Sequence, residues 1–221
     1  MAWDKVAIVN VLIVYAHMEP TSFTVALKDA AVDEIKILGH DVEVSDLYAM
    51  GFDPVAGRHD FTSVAEGNRF HYQTEQAKAV TDKAFVEQLT TEQDRVRRAD
   101  LIIFALPLWW GGPPAILKGW TDRVLSYGFA YVDGARFNRG LFKEKRALLC
   151  VTTGGTLERF SDGGVYGPIE KVLWPLQRLT LEYMGMQVFE PFVAYGAPRV
   201  GDDIRAGYLR DWRSRIRQAL A

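Results

Sequence analysis

Long apolar runs are the first pattern along this chain, and they predict buried β-strands. Asn10–Ala16, Leu101–Leu106 and Arg146–Thr152 consist mainly of valine, isoleucine, leucine and alanine. A strand has this composition when helices cover it on both faces, as in a parallel sheet. Asp41–Asp46 and Gln187–Val193 are further β-rich segments. The pattern therefore predicts five strands.

Helical periodicity fills most of the intervals between these strands. The spacing of apolar residues and the positions of glycine and proline predict helices over Phe23–Leu38, Glu92–Ala99, Pro114–Val124, Ile169–Met184 and Asp202–Ala221. The apolar stripes of the first and last helices consist of Leu27, Ala31, Ile35 and Leu38, and of Ile204, Tyr208, Trp212, Ile216 and Leu220. Each strand is thus followed by a helical pattern or by a segment of unclear period.

The alternation of strands and helices predicts the fold class. Right-handed crossovers between parallel strands place helices on both faces of the sheet, so we expect an α/β, doubly wound, five-stranded parallel sheet. Leu47–Thr90 has no clear period and is expected to form loops and short helices. Pro175 is expected to kink its helix or to mark the true start of that helix. Without a repeat or a linker, residues 1–221 are expected to form a single domain.

Composition and charge exclude several classes of function. A net charge of −2 gives no field that would hold nucleic acid or an anionic membrane. The apolar run Val6–Ala16 lacks a cationic leader and is too short to span a bilayer, so we expect no membrane insertion. Cys150, the only cysteine, fits a buried position in a reducing compartment, and a cytoplasmic location follows as the expectation. The histidines show no metal-ligand spacing, so no metal site is predicted.

In an open parallel sheet, ligands bind beyond the carboxyl ends of the strands. The first loop at this edge, His17–Thr24, runs into a predicted helix N-terminus. Hydroxyls of Thr21, Ser22 and Thr24, with free backbone N–H groups, can hold a phosphate or a pyrophosphate. Capping of the helix by serine or threonine explains the same residues. The glycine fingerprint of a Rossmann site is absent, and His17 alone is a weak signal.

The second loop at this edge, Pro107–Gly112, contains adjacent tryptophans. Trp109 and Trp110 can form a flat wall against a conjugated ring, although burial in the core is the alternative for an aromatic pair. Gly111 and Gly112 mark the segment as a turn, where large core aromatics are less expected. A ring-binding wall is therefore the preferred interpretation.

The third loop, Thr152–Tyr166, opens with T-T-G-G-T directly after a strand. Consecutive glycines let backbone N–H groups approach a ligand and donate to a ring carbonyl or an anionic ring nitrogen. A plain turn also needs glycines. The three loops together predict one ligand site at the carboxyl edge of the sheet.

Ordered motifs along nearly the whole chain carry a resemblance. They are L-I-V-Y-A-H followed by T-S-F, V-S-D-L-Y-A-M-x-F-x-P at Val44–Pro54, R-x-A-D-L-I-I-F at Arg97–Phe104, P-A-I-L-K-G-W at Pro114–Trp120, G-F-A-Y at Gly128–Tyr131, V-T-T-G-G-T at Val151–Thr156 and L-W-P-L-Q at Leu173–Gln177. With them the chain resembles the NAD(P)H:quinone oxidoreductase (DT-diaphorase) family, which has a flavodoxin-like fold.

The resemblance implies bound FAD, with FMN as the alternative, NADPH or NADH as co-substrate, and a homodimer with its active sites at the subunit interface. The expected cofactor-binding residues are His17, Thr21, Ser22, Phe23, Thr24, His71, Pro107, Leu108, Trp109, Trp110, Gly111, Thr152, Thr153, Gly154, Gly155, Phe160 and Arg205. The expected substrate-binding residues are Trp110, Phe160 and Tyr166, with Tyr131 from the partner chain. The diphosphate and adenosine half of FAD would be contacted by His17, Phe23, Thr24 and Arg205.

The chain departs from the family's pattern at several of these positions. The family carries a tyrosine and a histidine that stabilise charge on the reduced flavin, and the matching residues here are Phe160 and Tyr166. Gly111 replaces a second aromatic, which should open the pocket, and His71 replaces a glutamine. The metal-binding histidines of one branch align with Arg178 and Glu182, which again predicts no metal site.

The family chemistry is a hydride relay, in which NAD(P)H reduces the flavin and leaves before a quinone accepts the hydride. Backbone N–H groups of Gly154 and Gly155 would stabilise the negative charge that the flavin gains with the hydride, as donors do in an oxyanion hole. Phe160 cannot donate a hydrogen bond, so Tyr166 is predicted to donate one as the catalytic side chain.

Two other functions stay open at this point. One is a broader reductase of azo or nitro compounds, suggested by the pocket opened at Gly111. The other is a flavin-binding regulatory subunit of a potassium-efflux system, for which the altered residues Phe160 and Tyr166 leave room. A one-electron carrier is disfavoured, because such carriers are strongly acidic and lack a substrate pocket.

Overall fold

A parallel sheet forms the centre of the computed structural model, which describes residues 7–65 and 69–221. Its strands are β1 (Asn10–Tyr15), β2 (Asp41–Asp46), β3 (Leu101–Pro107), β4 (Arg146–Thr152), β5 (Gln187–Val188) and β6 (Phe192–Ala194). The order is β2-β1-β3-β4-β5, with β6 also paired to β4, and every pair is parallel. This confirms the predicted doubly wound sheet. Residues 1–6, including Val6, and residues 66–68 of the predicted single domain lie outside the described residues.

Helices cover both faces of the sheet. They are α1 (Phe23–Ile37), α2 (Tyr72–Asp82), α3 (Glu87–Arg98), α4 (Ala115–Val124), α5 (Ile169–Leu176) and α6 (Asp202–Leu220). Alternate residues of β1 enter different cores, with Val11 and Ile13 packing beside α1 and α6, and Leu12 and Val14 on the opposite face. The alternation follows from the two-residue period of a strand, and it explains why the central strands are apolar at every position.

The fifth predicted strand, Gln187–Val193, is wrong as a continuous element. It is divided into β5 and β6, which pair with the lower and upper halves of β4. Pro191 lies between them and has no N–H group for a ladder hydrogen bond. The two short strands still occupy one position at the edge of the sheet, so the five-stranded prediction describes the layout correctly.

Two predicted helices differ from the structure by more than one residue in their bounds. The helix expected over Ile169–Met184 ends as an α-helix at Leu176 and continues as a π-helix over Gln177–Leu181. Pro175 lacks the N–H group that an α-helix needs at that position, which disturbs the regular ladder. The helix expected from Glu92 begins five residues earlier, at Glu87.

Exposure also corrects two positions in the predicted apolar stripes. Leu38 and Ile204 are both exposed, at 38% and 46% of their surface. Leu38 caps the C-terminus of α1, and Ile204 lies in the first turn of α6. Helix ends extend beyond the sheet that the helix covers, so an apolar residue there continues the sequence pattern without being buried.

Candidate functional site

Four loops meet beyond the carboxyl ends of β1, β3, β4 and β6, and a cavity of about 680 Å³ lies between them. We call it the helix-end cavity. It is lined by His17, Glu19, Thr21, Ser22, Phe23, Thr24, Ala26, Pro107, Leu108, Trp109, Thr152, Thr153, Gly154, Ala197, Pro198 and Arg205. The volume lies in the usual range for small-molecule and cofactor sites. Most of the predicted cofactor-binding residues therefore share one cavity.

The hydroxyls at the start of α1 are already engaged within the protein. The Ser22 Oγ accepts a hydrogen bond from the N–H of Val25 at 3.3 Å, so it caps the helix. Thr24 Oγ1 and Thr152 Oγ1 are 2.8 Å apart in a buried pair that ties α1 to β4. Thr21 donates to Glu19. What the first turn still offers to a ligand is the Ser22 hydroxyl proton and backbone N–H groups, which have no partner within the helix.

His17 is held in one orientation by its neighbours. Its Nδ1 accepts a hydrogen bond from the N–H of Glu19 at 3.0 Å, and its ring packs edge-on against Trp109. Burial lowers the pKa of His17, while the charge of Glu19 opposes that effect. A neutral ring whose Nδ1 is an acceptor carries its proton on Nε2, so His17 is a hydrogen-bond donor to an anionic ligand.

Arg205 supplies the cation of the helix-end cavity. Its Nε donates to the carbonyl of Ala197 at 3.2 Å, and its Nη1 pairs with Asp202 at 2.9 Å. These contacts fix the guanidinium between α6 and the loop after β6, with further N–H groups left for a ligand. A helix N-terminus, a neutral histidine donor and an arginine together suit a phosphate or diphosphate.

The two tryptophans of the second loop do not share a wall. Trp110 and Gly111 have positive φ angles of 51° and 74°, and the N–H groups of Trp109 and Gly112 bond to each other's carbonyls. This is a two-residue turn of the I′ kind, uncommon for a residue as large as tryptophan. Trp109 lines the helix-end cavity, whereas Trp110 is fully exposed and lines a neighbouring cavity.

That neighbouring cavity, which we call the aromatic cavity, has a volume of about 530 Å³. It is lined by Leu108, Trp110, Gly111, Thr153, Gly154, Gly155, Arg159, Phe160, Tyr166, Val172 and Arg199. Leu108, Thr153 and Gly154 line both cavities. A long, flat ligand can therefore extend from one cavity into the other.

Two aromatic rings pack over a glycine in the aromatic cavity. The rings of Phe160 and Tyr166 are 5.1 Å apart between centroids, and Phe160 is buried while Tyr166 is half exposed. A Cβ atom on Gly155 would lie 2.7 Å from Phe160 Cε2 and 3.1 Å from Tyr166 Cε2. Glycine is therefore needed here because the rings occupy the space that a side chain would take.

The T-T-G-G segment is held by the loop that follows β6. The N–H of Thr153 donates to the carbonyl of Ala194 at 3.0 Å, and the N–H of Gly196 donates to the carbonyl of Gly155 at 2.8 Å. Within the described part of the chain, the N–H groups of Gly154 and Gly155 make no hydrogen bond. Both are consequently free to donate to a ligand that spans the two cavities.

Two predicted site residues lie away from both cavities. His71 is the N-cap residue of α2, and its Nδ1 is 2.9 Å from Thr74 Oγ1. Tyr131 packs edge-on against Tyr127 and Tyr183. Neither His71 nor Tyr131 reaches the site of its own chain.

Several lining residues escaped the sequence reasoning. Ala197, Pro198 and Arg199 belong to the loop after β6, which follows a strand as the three predicted loops do. That rule would have identified them, but the loop contains no motif. Arg159 lies between Gly155 and Phe160, which the resemblance identifies, but no motif in the sequence indicates a role for Arg159.

Three further observations bear on other kinds of site. Among residues 7–65 and 69–221, no three histidine, cysteine, aspartate or glutamate side chains cluster as metal ligands. In the same part of the chain no helix is long and apolar enough to cross a membrane. Cys150 is buried in β4, and burial raises the pKa of its thiol.

Comparisons with known proteins agree on one family. Residues 9–216 match the family model described as flavodoxin-like fold. The chain is 43% identical over 211 residues to NAD(P)H dehydrogenase (quinone) 1 of Cavia porcellus, which covers 95% of this chain and 77% of the relative. It is 44% identical over 208 residues to human ribosyldihydronicotinamide dehydrogenase (quinone), and this alignment covers 94% of this chain and 90% of the relative. A quinone reductase structure from Klebsiella pneumoniae superposes with a TM-score of 0.92 at 35% identity. The superposition covers 96% of this chain and 85% of the Klebsiella chain.

Proposed function

Because the chain belongs to the flavodoxin-like family that includes these quinone dehydrogenases, we propose that it is an FAD-dependent NAD(P)H:quinone oxidoreductase. The observation that carries the proposal is the pair of adjoining cavities, one with phosphate-binding groups and one with aromatic walls. A bound flavin would supply the two-electron chemistry, accepting a hydride from NAD(P)H and passing it to a quinone. The two substrates would use the same aromatic cavity in turn, which gives a ping-pong mechanism.

The helix-end cavity fits the diphosphate of FAD. Backbone N–H groups of Phe23 and Thr24, the Nε2 of His17 and the guanidinium of Arg205 are all donors on its wall. FMN has a single phosphate and no adenosine, so it would leave part of the 680 Å³ empty. The size of the cavity supports FAD over FMN, whereas the cation at Arg205 suits the phosphate of either cofactor.

The chain's own groups then act on charge at the flavin edge. The free N–H groups of Gly154 and Gly155 would donate to negative charge that builds up there, as backbone donors do in an oxyanion hole. Tyr166 is half exposed on the aromatic cavity and can donate its phenolic proton. Phe160 holds the ring of Tyr166 from the buried side. Of the residues at the two altered positions, Phe160 and Tyr166, only Tyr166 would be a side-chain donor.

We also infer a homodimer that completes the aromatic cavity. Large apolar side chains are exposed around it, with Trp110 fully exposed and Val165 exposed over 81% of its surface. A second copy would cover them and bring Tyr131 of the partner subunit into the substrate pocket, and His71 of the partner subunit to the cofactor. The expected location of this dimer is the cytoplasm.

A second candidate function is the reduction of azo or nitro compounds. Gly111 has no atom within 4 Å of the position a Cβ would take, so the cavity is open on that side. Bulkier acceptors than a simple quinone can therefore reach the site. Turnover measured across quinone, azo and nitro acceptors separates the two candidates.

The test is an anaerobic absorbance titration of FAD-saturated protein with NADPH, followed by a simple quinone. Rapid bleaching and rapid recolouring are expected, and Tyr166→Phe should slow at least one of these steps. If the bound flavin bleaches slowly or not at all, the enzyme proposal is wrong and a regulatory flavoprotein of a potassium-efflux system becomes the better account. If Tyr166→Phe matches the wild type, the role assigned to Tyr166 is wrong.

A further inference from the structure

Two arginines line the aromatic cavity, whose other walls are apolar, aromatic or glycine, apart from Thr153. We propose that Arg159 and Arg199 select electron acceptors that carry an anionic group, such as a carboxylate or sulfonate, on an aromatic or quinonoid ring. The inference rests on the proposed function and names the substrate class of that site. The ring would lie among Trp110, Phe160 and Tyr166, and the anionic group would face the guanidinium groups.

The backbone around Arg199 fixes one cation at the boundary between the two cavities. Its N–H donates to the carbonyl of Gly196 at 2.7 Å, which closes the turn after β6. Its Nη1 donates to the carbonyl of Gly154, a residue that lines both cavities. A guanidinium has five N–H donors, so this contact leaves donors for a ligand.

Arg159 lines the aromatic cavity from a different segment of the chain. It belongs to the 3₁₀ turn Leu157–Phe160, and its N–H donates to the carbonyl of Thr156 at 3.1 Å. The N–H of Tyr166 donates to the carbonyl of Arg159 at 2.9 Å. The backbone of Arg159 is thus anchored on both sides, while its side chain is exposed to the cavity and to solvent.

The charges of these arginines are not neutralised within the described residues. Neither Arg159 nor Arg199 has a carboxylate oxygen within 4.0 Å there, whereas Arg205 pairs with Asp202 at 2.9 Å. No acidic side chain lines the aromatic cavity among the described residues. The neighbouring carboxylate of Glu158 does not line the cavity. The cavity therefore presents two positive charges beside flat, apolar surfaces.

Such a site favours an anionic aromatic acceptor for electrostatic reasons. An unpaired guanidinium attracts a carboxylate or sulfonate and can bind two of its oxygens at once. The redox step is unchanged, because a hydride from the reduced cofactor and a proton from solvent convert the quinone to the hydroquinone. The anionic group takes no part in that step, so it can affect binding without altering the chemistry.

The phosphates of NAD(P)H are the other anions that could meet these arginines. The experiment therefore removes NAD(P)H by reducing the FAD-saturated protein photochemically without oxygen. The reduced protein is then mixed with naphthoquinone sulfonate or with menadione, a neutral naphthoquinone, and reoxidation is followed by absorbance. The quantity compared is the second-order rate constant for naphthoquinone sulfonate divided by that for menadione. The intrinsic reactivity of the two quinones is the same for every variant, so a change in this ratio reports a change in the protein.

We expect Arg159→Gln and Arg199→Gln each to lower this ratio about fivefold, as for loss of one charge near a surface site. Arg159→Lys and Arg199→Lys keep the charge and should retain most of the ratio. The control for net charge is Arg210→Gln, because Arg210 is exposed on α6 and lines neither cavity. An unchanged ratio in both glutamine variants overturns the proposal, even if their reduction by NADPH is impaired. Failure of the wild type to reduce menadione at all would instead overturn the proposed function.

A binding measurement gives an independent readout. Naphthalenesulfonate and naphthalenesulfonamide have the same ring and differ in charge, and neither is reduced. Calorimetry on the oxidised, FAD-saturated protein should show that the sulfonate binds more tightly than the sulfonamide. The difference in affinity between the two probes should be smaller in Arg159→Gln. Equal affinity for the two probes in the wild type would contradict the proposal.

Discussion

The helix-end cavity and the aromatic cavity share Leu108, Thr153 and Gly154, but most of the residues that line them come from different segments of the chain. The first is formed by the ends of regular elements, and its hydroxyls at Ser22 and Thr24 are bonded within the protein. The second is formed by loop side chains, among which Arg159 and Arg199 have exposed guanidinium groups. A change at Thr24 or Thr152 of the first would disturb the contact between α1 and the sheet. Residues of the second can change independently, so the acceptor can diverge while the cofactor site is retained.

The substitution Gly155→Ala should break the aromatic cavity most severely. The added Cβ would lie 2.7 Å from Phe160 Cε2, so the two rings must move. We expect the free energy of unfolding to fall by about 1–3 kcal/mol, as in other overpacked sites. The N–H of residue 155 is retained, so a loss of quinone turnover would reflect the displaced rings. Urea unfolding and steady-state turnover measure the two effects.

Gly163→Ala is the matched control on the same loop. Gly163 has no atom within 4 Å of the position a Cβ would take, and its φ angle is not in the left-handed region. Its unfolding and turnover should stay close to those of the wild type. If Gly155→Ala is as well tolerated as Gly163→Ala, the packing of Phe160 over Gly155 does not define the cavity.

Arg205→Gln should weaken FAD binding in the helix-end cavity, which tests the difference between this cavity and the aromatic cavity. Loss of a charge-assisted hydrogen bond to a phosphate should raise the Kd for FAD about tenfold or more. Arg210→Gln removes the same charge from α6 without lining the cavity, and should leave the Kd unchanged. Fluorescence titration of the apoprotein with FAD measures both constants. An equal effect of the two variants would show that Arg205 acts only through net charge.

The same contrast explains how much could be predicted from the sequence. The regular elements of the sheet, among them β4, which ends at the helix-end cavity, have clear patterns, so β2 and β4 were predicted with the bounds that the structure gives them. α2 lies in the segment expected to form loops and short helices, but its bounds were not predicted because two of its three buried residues are polar. Glu75 accepts a hydrogen bond from the N–H of Ala65, and Gln76 accepts one from the N–H of Tyr127. A helix whose burial depends on such pairings has no apolar stripe to detect.

The aromatic cavity was the harder part to predict, because its members depend on tertiary contacts. The resemblance pointed to Phe160 and Tyr166, but Arg199 comes from a loop without a motif and reaches the site through the carbonyl of Gly154. The separation of Trp109 from Trp110 follows from the positive φ of Trp110, which no apolar pattern encodes. Side chains on loops are placed by the packing of distant segments, so their positions appear only in the folded chain.

The pH dependence of stability should give the smallest effect, and it arises in the helix-end cavity. Burial lowers the pKa of His17 below its unfolded value. The unfolded chain therefore binds more protons than the folded chain as the pH falls through about 6.5. The stabilisation that a neutral His17 allows is complete above that pH and is lost as the pH falls towards and below the folded pKa. Protonation also removes the acceptor for the N–H of Glu19.

His17→Asn isolates this contribution, because asparagine does not titrate and its carbonyl can accept the same hydrogen bond. Between about pH 7.5 and 5.5, the apoprotein's free energy of unfolding should fall more steeply in the wild type than in the variant. Urea unfolding at a series of pH values measures the difference, in which groups common to both proteins cancel. FAD should reduce that difference, since an anionic phosphate favours the protonated ring and makes FAD binding tighter at lower pH. Parallel pH profiles of the two apoproteins would mean that His17 titrates no differently in the folded cavity than in the unfolded chain.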